Sequence, residues 1–262
     1  MTPTPGERLP YLLRALKAPR ILDRLQSTAE RARAEGWPYE QFLEALCEAE
    51  VFAREASGAR QRIRAAGFPA PKTLEDFDFA AQPGAERPLI GHLAQLAWIE
   101  EAANVCFLGP PGTGKSHLAT ALAIKACQAG HRTLFAAQQW VDRLDGAQHR
   151  NSLDDELRKL DRYRLLVIDE IGYLPLERQA ANLLFALIAR RYERGSIIVT
   201  SNRGFEAWGE ILGDAMVAAA LIDRLVHHAT MIALKGKSYR LRDRTAASPN
   251  KTRQRARPQA LS

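Results

Sequence analysis

Apolar residues recur at helical spacing through the first quarter of the chain. From Arg8 to Glu35 they fall at Leu9, Leu12, Leu13 and Leu16, then at Leu22, Leu25, Ala29 and Ala32, with a break near Pro19. The polar face between them is mostly basic, through Arg14, Lys17, Arg20, Arg24, Arg31 and Arg33. After Gly36-Trp37-Pro38, Phe42, Leu46, Ala49 and Ala53 keep a second helical register, this time among acids: Glu40, Glu44, Glu48, Glu50 and Glu55. A third stretch, Arg60 to Ala66, is basic again and is closed by Gly67-Phe68-Pro69. These stretches predict a small all-α domain over residues 1–68 that pairs charges between its helices. Its spare basic face suits DNA phosphates, although interhelix pairing explains the pattern almost as well. Residues 69–90, rich in Pro, Gly and Asp, read as a linker. Leu74, Phe77 and Phe79 are too apolar for a free tether and predict a strap on the following domain.

Beyond the strap the period alternates between strand and helix, which predicts an α/β domain over residues 91–243. A short helix (Gly91 to Glu101) leads into strands at Asn104 to Leu108, Thr133 to Ala136, Leu165 to Asp169, Ser196 to Ser201 and Thr230 to Leu234. Helices are expected at Ser116 to Gln128, Trp140 to Ala147, Ser152 to Tyr163, Glu177 to Glu193 (stopped by Gly195) and Asp214 to His228. Such alternation implies a parallel sheet covered on both faces, with ligands at the carboxyl ends of its strands.

The first of these strands runs into G-P-P-G-T-G-K-S, Gly109 to Ser116, which fits G-x-x-x-x-G-K-[ST] at every fixed position. The glycines let backbone N–H groups turn inward around a triphosphate. Lys115 supplies a point charge to its β- and γ-phosphates, and Ser116 offers a hydroxyl to Mg²⁺. Strand, glycine turn and helix N-terminus together make a phosphate site. The strand ending Ile168-Asp169-Glu170 brings two acids to the same edge: Asp169 beside Ser116 for a magnesium-bound water, Glu170 one step further to orient or deprotonate the attacking water. At the end of the next strand, Asn202 can hydrogen-bond that water or the γ-phosphate, or it can start the turn that Gly204 completes. Arg224, near a helix C-terminus, is favoured there by the helix dipole. It also suits an arginine finger given to a neighbour's γ-phosphate.

Charge sharpens this picture. The formal net charge is +7, yet from Arg224 to Ser262 there are ten Lys or Arg against the single acid Asp243, so the rest of the chain is near neutral. A basic tail over residues 244–262 on such a body is the footprint of a polyanion, or a solvated tail with no partner. Cys47, Cys106 and Cys127 are widely separated and read as reduced core residues. His227 and His228 are adjacent and are expected to point apart, with no zinc spacing nearby. With no apolar run near the ~20 residues of a membrane helix and no signal-peptide core, a cytoplasmic protein without a membrane partner is expected.

The motifs together resemble the IstB-type transposition helper ATPases, in the DnaA/DnaC-like clade of the AAA+ superfamily. The resemblance runs from about Ala34 to Arg242. It rests on Gly36 to Leu46 (G-W-P-Y-E-Q-F-L-E-A-L), Thr73 to Phe79 (T-L-E-D-F-D-F), Gly109 to Ala119 (G-P-P-G-T-G-K-S-H-L-A) and Leu165 to Leu176 (L-L-V-I-D-E-I-G-Y-L-P-L). Further pieces are Thr200 to Arg203 (T-S-N-R), Ala219 to Ala229 (A-A-L-I-D-R-L-V-H-H-A) and Lys235 to Arg240 (K-G-K-S-Y-R). It implies an AAA+ P-loop core with a five-stranded parallel sheet, a small helical N-terminal domain and no C-terminal lid. It also implies ATP held by Gly109, Pro110, Pro111, Gly112, Thr113, Gly114, Lys115, Ser116 and His117, with Mg²⁺ at Ser116 and Asp169. Glu170 and Asn202 would be the Walker B glutamate and sensor 1, Arg224 the finger, and Arg240 a weak candidate for a second sensor. The implied activity is Mg²⁺-dependent ATP hydrolysis. The implied partners are double-stranded DNA gripped with little sequence preference, further copies of the chain assembled with ATP and DNA, and a cognate transposase. A helicase loader of the same fold is the alternative, and a small-molecule kinase using the same loop a remote one.

Overall fold

The alternating strands and helices form a five-stranded, all-parallel sheet in the computed structural model, which describes residues 7–136, 139–172, 176–236 and 238–239. Three helices precede it: α1 (Leu9–Ala15), α2 (Pro19–Glu35) and α3 (Tyr39–Ala66). Pro19 falls in the first turn of α2, where its missing N–H costs nothing, and Gly36 and Gly67 close α2 and α3 in the left-handed conformation. Two short helices, α4 (Arg87–Leu93) and α5 (Ala97–Glu100), lead into β1 (Asn104–Leu108). There follow α6 (Lys115–Gln128), β2 (Thr133–Ala136), α7 (Gln139–His149), α8 (Leu153–Leu160), β3 (Leu165–Ile171) and α9 (Arg178–Arg191). The series ends with β4 (Ser196–Ser201), α10 (Trp208–Leu212), α11 (Ala215–Val226) and β5 (Ala229–Ala233).

The strand order is β2-β3-β4-β1-β5, so β4 lies between the phosphate-loop strand and the strand that ends in acids. Alternate strand residues serve two cores. Cys106, Leu166, Ile168, Ile197 and Val199 face helices α7 to α11. Val105, Phe107, Leu165, Val167, Ile198 and Ile232 face α4 to α6. Each fully buried Leu, Ile or Phe contributes about 1.5–3 kcal/mol, so the two faces fix the sheet's pleat and register. Leu74, Phe77 and Phe79 of the strap pack against the second core. The C-terminal part of α3 joins the same side: Arg62 donates to the Cys127 carbonyl at 2.7 Å, and Phe68 meets Phe135 edge-on.

Several expectations are corrected. The acidic and second basic stretches are one helix, because Gly58 costs only about 1 kcal/mol in a helix this long. Among the described residues, the N-terminal ion pairs lie within helices rather than between them, as Arg20–Asp23, Arg31–Glu35 and Arg54–Glu50. What ties α2 to α3 is buried Glu50, which accepts the Arg20 backbone N–H at 2.8 Å. Cys47 is exposed on the outer face of α3; only Cys106 and Cys127 are buried, and burial pushes the Cys106 thiol up to about 12. The lead-in helix splits in two at Leu96, which has φ +67°. Gly195 does not stop α9, which ends at Arg191; a Cβ there would sit 2.2 Å from the Arg191 guanidinium, so the glycine makes room for that side chain. Helix α10 was not foreseen, since five residues are too few to show a period. Residues 2–6, Arg240 and the basic tail lie outside the described residues.

Candidate nucleotide site

The site begins where β1 ends. Gly109 donates its N–H to Ser201 at 3.1 Å, and the loop then wraps to the N-terminus of α6. That N-terminus carries orphan N–H groups and a positive dipole end, both favourable for phosphate. The loop is clamped from two sides. At Gly112 (φ +78°) a Cβ would strike Ser238 Oγ at 2.0 Å, and Tyr239 donates its N–H to the Gly112 carbonyl at 2.9 Å. At Gly114 (φ +96°) a Cβ would meet the Phe77 ring at 2.6 Å. Gln82 Nε2 holds the Thr113 carbonyl at 3.2 Å, while Thr113 Oγ1 donates to Pro110 O. Strap and C-terminal segment thus fix a conformation that only glycine reaches without strain. Pro111 is an exposed member of the turn. His117 is committed to the strap: its ring stands edge-on to Phe77, and Nε2 lies 2.7 Å from the Thr73 carbonyl, which it can approach only as a donor.

The charged groups converge at this edge. Lys115 is buried and donates Nζ to the Pro110 carbonyl at 2.8 Å, folded back over its own loop. Ser116 Oγ donates to Asp169 Oδ1 at 2.8 Å, so hydroxyl and carboxylate meet at one point. Sequence reasoning passed over Thr200, which is fully buried on β4. Its hydroxyl donates to Asp169 Oδ1 at 2.5 Å and accepts the Glu170 N–H at 2.9 Å. That second bond holds a bulge between Ile168 and Ile171, where Glu170 takes φ +63° and turns its side chain into solvent. A non-glycine residue in this region carries about 1–3 kcal/mol of strain, which the bulge and Thr200 together sustain. Strand β3 therefore continues two residues past Asp169. Asn202 follows β4 with its Oδ1 buried and without a hydrogen-bond partner among the described residues.

Arg224 is not brought to this site. It lies in the last turn of α11, at the opposite end of the strands: the neighbouring Leu225 carbonyl accepts from Asn104 Nδ2, and Asn104 is the first residue of β1. A five-residue strand, at ~3.3 Å per residue, separates that end from the loop. The guanidinium donates to Ala220 O at 2.9 Å and stacks on Phe185 of α9, 4.9 Å from the ring centre. His227 and His228 sit just beyond α11, and their rings are 4.3 Å apart. The expectation that they diverge fails because the helix ends at Val226.

The donors fit the groups the motifs imply. A hydroxyl and a carboxylate oxygen suit a hard cation such as Mg²⁺, and a glycine cradle at a helix N-terminus with a buried lysine suits a triphosphate. With the strand order and an Asp-Glu pair beside a polar strand end, the fold and site define a P-loop NTPase of the AAA+ type. Residues 12–247 match the family model described as IstB-like ATP binding protein. The chain belongs to this family. It is 45% identical over 240 residues to an insertion sequence IS21 protein of Pseudomonas aeruginosa named for ATP binding, covering 91% of each chain. It is 41% identical over 239 residues to the corresponding IS5376 protein of Geobacillus stearothermophilus, covering 91% of this chain and 95% of that one. Among solved structures it resembles DnaI (TM-score 0.54, 17% identity, 67% of this chain and 94% of that one). It also resembles AMPPCP-bound DnaA from Aquifex aeolicus (TM-score 0.53, 18% identity, 69% and 55%). Among the described residues no helix is long and apolar enough to cross a membrane.

Proposed function

We propose that the protein hydrolyses ATP with Mg²⁺ in sites completed between neighbouring copies, that it assembles this way on duplex DNA, and that it presents the DNA to an insertion-sequence transposase. The observation that carries this reading is the separation of Arg224 from the loop of its own chain. Among the described residues, the other predicted groups lie at the carboxyl ends of β1, β3 and β4, whereas Arg224 lies at the amino end. An arginine side chain cannot span the strand, so a γ-phosphate is within its reach only on another protomer.

In this reading the loop N–H groups and Lys115 bind the phosphates, the lysine exchanging the Pro110 carbonyl for a stronger anionic acceptor. Ser116 and Asp169 would hold Mg²⁺, which neutralises charge on the phosphate oxygens when bound. Glu170, exposed beyond the bulge, accepts the proton of the attacking water, and Asn202 orients that water with its unused carbonyl oxygen. Thr200 acts through its neighbours: it keeps Asp169 on Ser116 and Glu170 in its left-handed turn. Arg224 of the adjacent copy stabilises charge on the transferring phosphoryl group.

For DNA, Arg14, Lys17, Arg24 and Arg33 are exposed and make no ion pair among the described residues. They supply phosphate contacts of the sequence-independent, salt-sensitive kind. The relatives named for insertion sequences favour a transposase as the protein partner over a replicative helicase, because the likeness to DnaI and DnaA is one of fold alone. Negative-stain imaging with duplex DNA tests the assembly: an ATP analogue should give a DNA-bound oligomer that ADP does not. A lone protomer at saturating nucleotide and DNA would overturn the reading, and capture of a helicase instead of the transposase would redirect it.

A further inference from the structure

The amino-terminal edge of the sheet carries a second constellation that the ATPase reading does not use. Glu193 follows α9 and His227 and His228 follow α11, so two helix C-termini end beside one another there. One ring nitrogen of each histidine and a carboxylate oxygen of Glu193 lie within 4.8 Å of one another. His228 Nε2 is 3.6 Å from Glu193 Oε1. Glu193 takes a left-handed backbone, φ +57°, as the residues that follow other helices of this chain do at Lys17 and Asn151. Tyr192 Oη, 2.7 Å from His227 Nδ1, fixes the orientation of that ring.

We propose that Glu193, His227 and His228 form a surface site for a borderline divalent metal ion of the Zn²⁺ class. Two imidazoles and a carboxylate are the donor set such ions choose over Mg²⁺ or Ca²⁺, which take oxygen. Zinc bonds of about 2.0–2.2 Å in a tetrahedron place donor atoms about 3.4 Å apart. The His228–Glu193 pair is already near that spacing at 3.6 Å, and all three side chains are exposed, so the third donor can close in without disturbing the core. The negative ends of the α9 and α11 dipoles favour a cation at the same point. Asp223 adds to that attraction and Arg224 opposes it, both lying near Tyr192. Three protein ligands leave a fourth position for water or for a group from another molecule. The site stands apart from the phosphate loop of its own chain, so a lone protomer can bind metal here without nucleotide.

The test uses the full chain, stripped of metal and free of nucleotide, titrated with Co²⁺ as a spectroscopic probe and then with Zn²⁺ in competition. One Co²⁺ per chain should give the intense visible bands of a four-coordinate N/O site, displaced by Zn²⁺. The double substitution His227→Ala with His228→Ala should remove the bands. Glu193→Gln should weaken binding by more than the ~10–100-fold lost with an outer-shell group, and Tyr192→Phe by about 10-fold. His228→Gln, with far-UV circular dichroism alongside, separates a lost ligand from a lost fold. Unchanged affinity in the double variant, bands absent from the parent chain, or a first Co²⁺ that follows the cysteines instead would overturn the assignment.

Discussion

The two ends of the parallel sheet are built on opposite plans. At the carboxyl end a set of polar groups is bonded together around buried Asp169: Ser116 and Thr200 both reach it, and the loop is held by Phe77, Gln82 and Tyr239. At the amino end two arginines contrast. Arg191 is buried among the carbonyls of Leu160, Tyr163, Arg164 and Ser196, and burial lowers its guanidinium to about 10. Arg224, one helix away, is half-buried and has one carbonyl and a ring face. Arg191 is a strut, fixed because the ends of β3 and β4 depend on it. Arg224 is held by contacts weak enough to exchange for something better. One end of the sheet is a pocket with its geometry set in advance, and the other offers a group to a pocket elsewhere.

The largest effect should come from breaking that complementarity. Arg224→Ala should keep ATP binding and lose about 10³–10⁵ in turnover. Glu170→Gln should lose about 10²–10⁴ and accumulate an ATP-bound assembly on DNA. Mixing the two inactive proteins is the sharper measurement. An interface that takes Glu170 from the Arg224→Ala chain and Arg224 from the Glu170→Gln chain is intact, so turnover should return in the mixture. If the mixture stays inactive, Arg224 works within its own chain or not at all, and the two ends of the sheet are not halves of one site.

Thr200 tests whether the carboxyl end is set in advance. Thr200→Val preserves shape and removes both the donor to Asp169 and the acceptor for the Glu170 N–H. An unpaired buried group of this kind costs about 1–3 kcal/mol. If that cost falls on the bulge, kcat should drop roughly 10–100-fold with KM for ATP nearly unchanged, since 1.36 kcal/mol is tenfold in rate. Thr200→Ser should restore it, and the Mg²⁺ concentration for half-maximal rate should rise in the valine variant. Full activity in Thr200→Val would mean that Glu170 keeps its left-handed turn without help.

The strands, the loop and the acid pair were legible because each rests on a short local rule. A buried strand is a run of apolar residues, and the loop needs glycine where Ser238 and Phe77 approach. Thr200 was not legible, because a buried threonine in Ile197-Ile198-Val199-Thr200 looks like any β-branched strand residue. Its task appears only when β3 lies alongside with a register shift. Gly195 misled for a related reason: a glycine near a helix end reads as a stop, and the contact that requires it comes from Arg191 folding back. His227 and His228 were read on helical angles, and a helix that ends two residues sooner, at Val226, brings their rings together. In each case the missing information was a contact from another part of the backbone.

A smaller effect is expected where Arg224 rests. The stack on Phe185 is a half-exposed cation–π contact, worth about 0.5–1 kcal/mol. Phe185→Leu keeps an apolar side chain on α9 and removes the π face, so the guanidinium loses its resting place and becomes more available to a neighbour. Turnover at sub-saturating protein concentration should rise about 2–5-fold, with no change once assembly is saturated. A fall in turnover at both concentrations would mean that the stack orients Arg224 for its task.

The smallest effect concerns the helix that carries Arg224 to the far end. Asp214 caps α11, accepting the N–H groups of Met216 and Val217 at 2.9 and 3.0 Å. The N–H groups of Val217 and Met216, and more weakly Arg178, hold its carboxyl below the ordinary range. A carboxyl depressed in the folded state stabilises it above the unfolded carboxylate range, near pH 3.9, and loses that contribution as pH falls through the folded value. Asp214→Asn keeps the cap's hydrogen bonds and removes only the charge. The variant should therefore melt slightly below the parent at pH 7, and the two melting curves should converge as the solution is acidified past the carboxylate range. Turnover at pH 7 should be unaffected, because the cap seats the helix and leaves the distance between Arg224 and its own loop as it was. A variant with normal stability but weakened trans-complementation would instead place the Asp214 charge in the contact between copies.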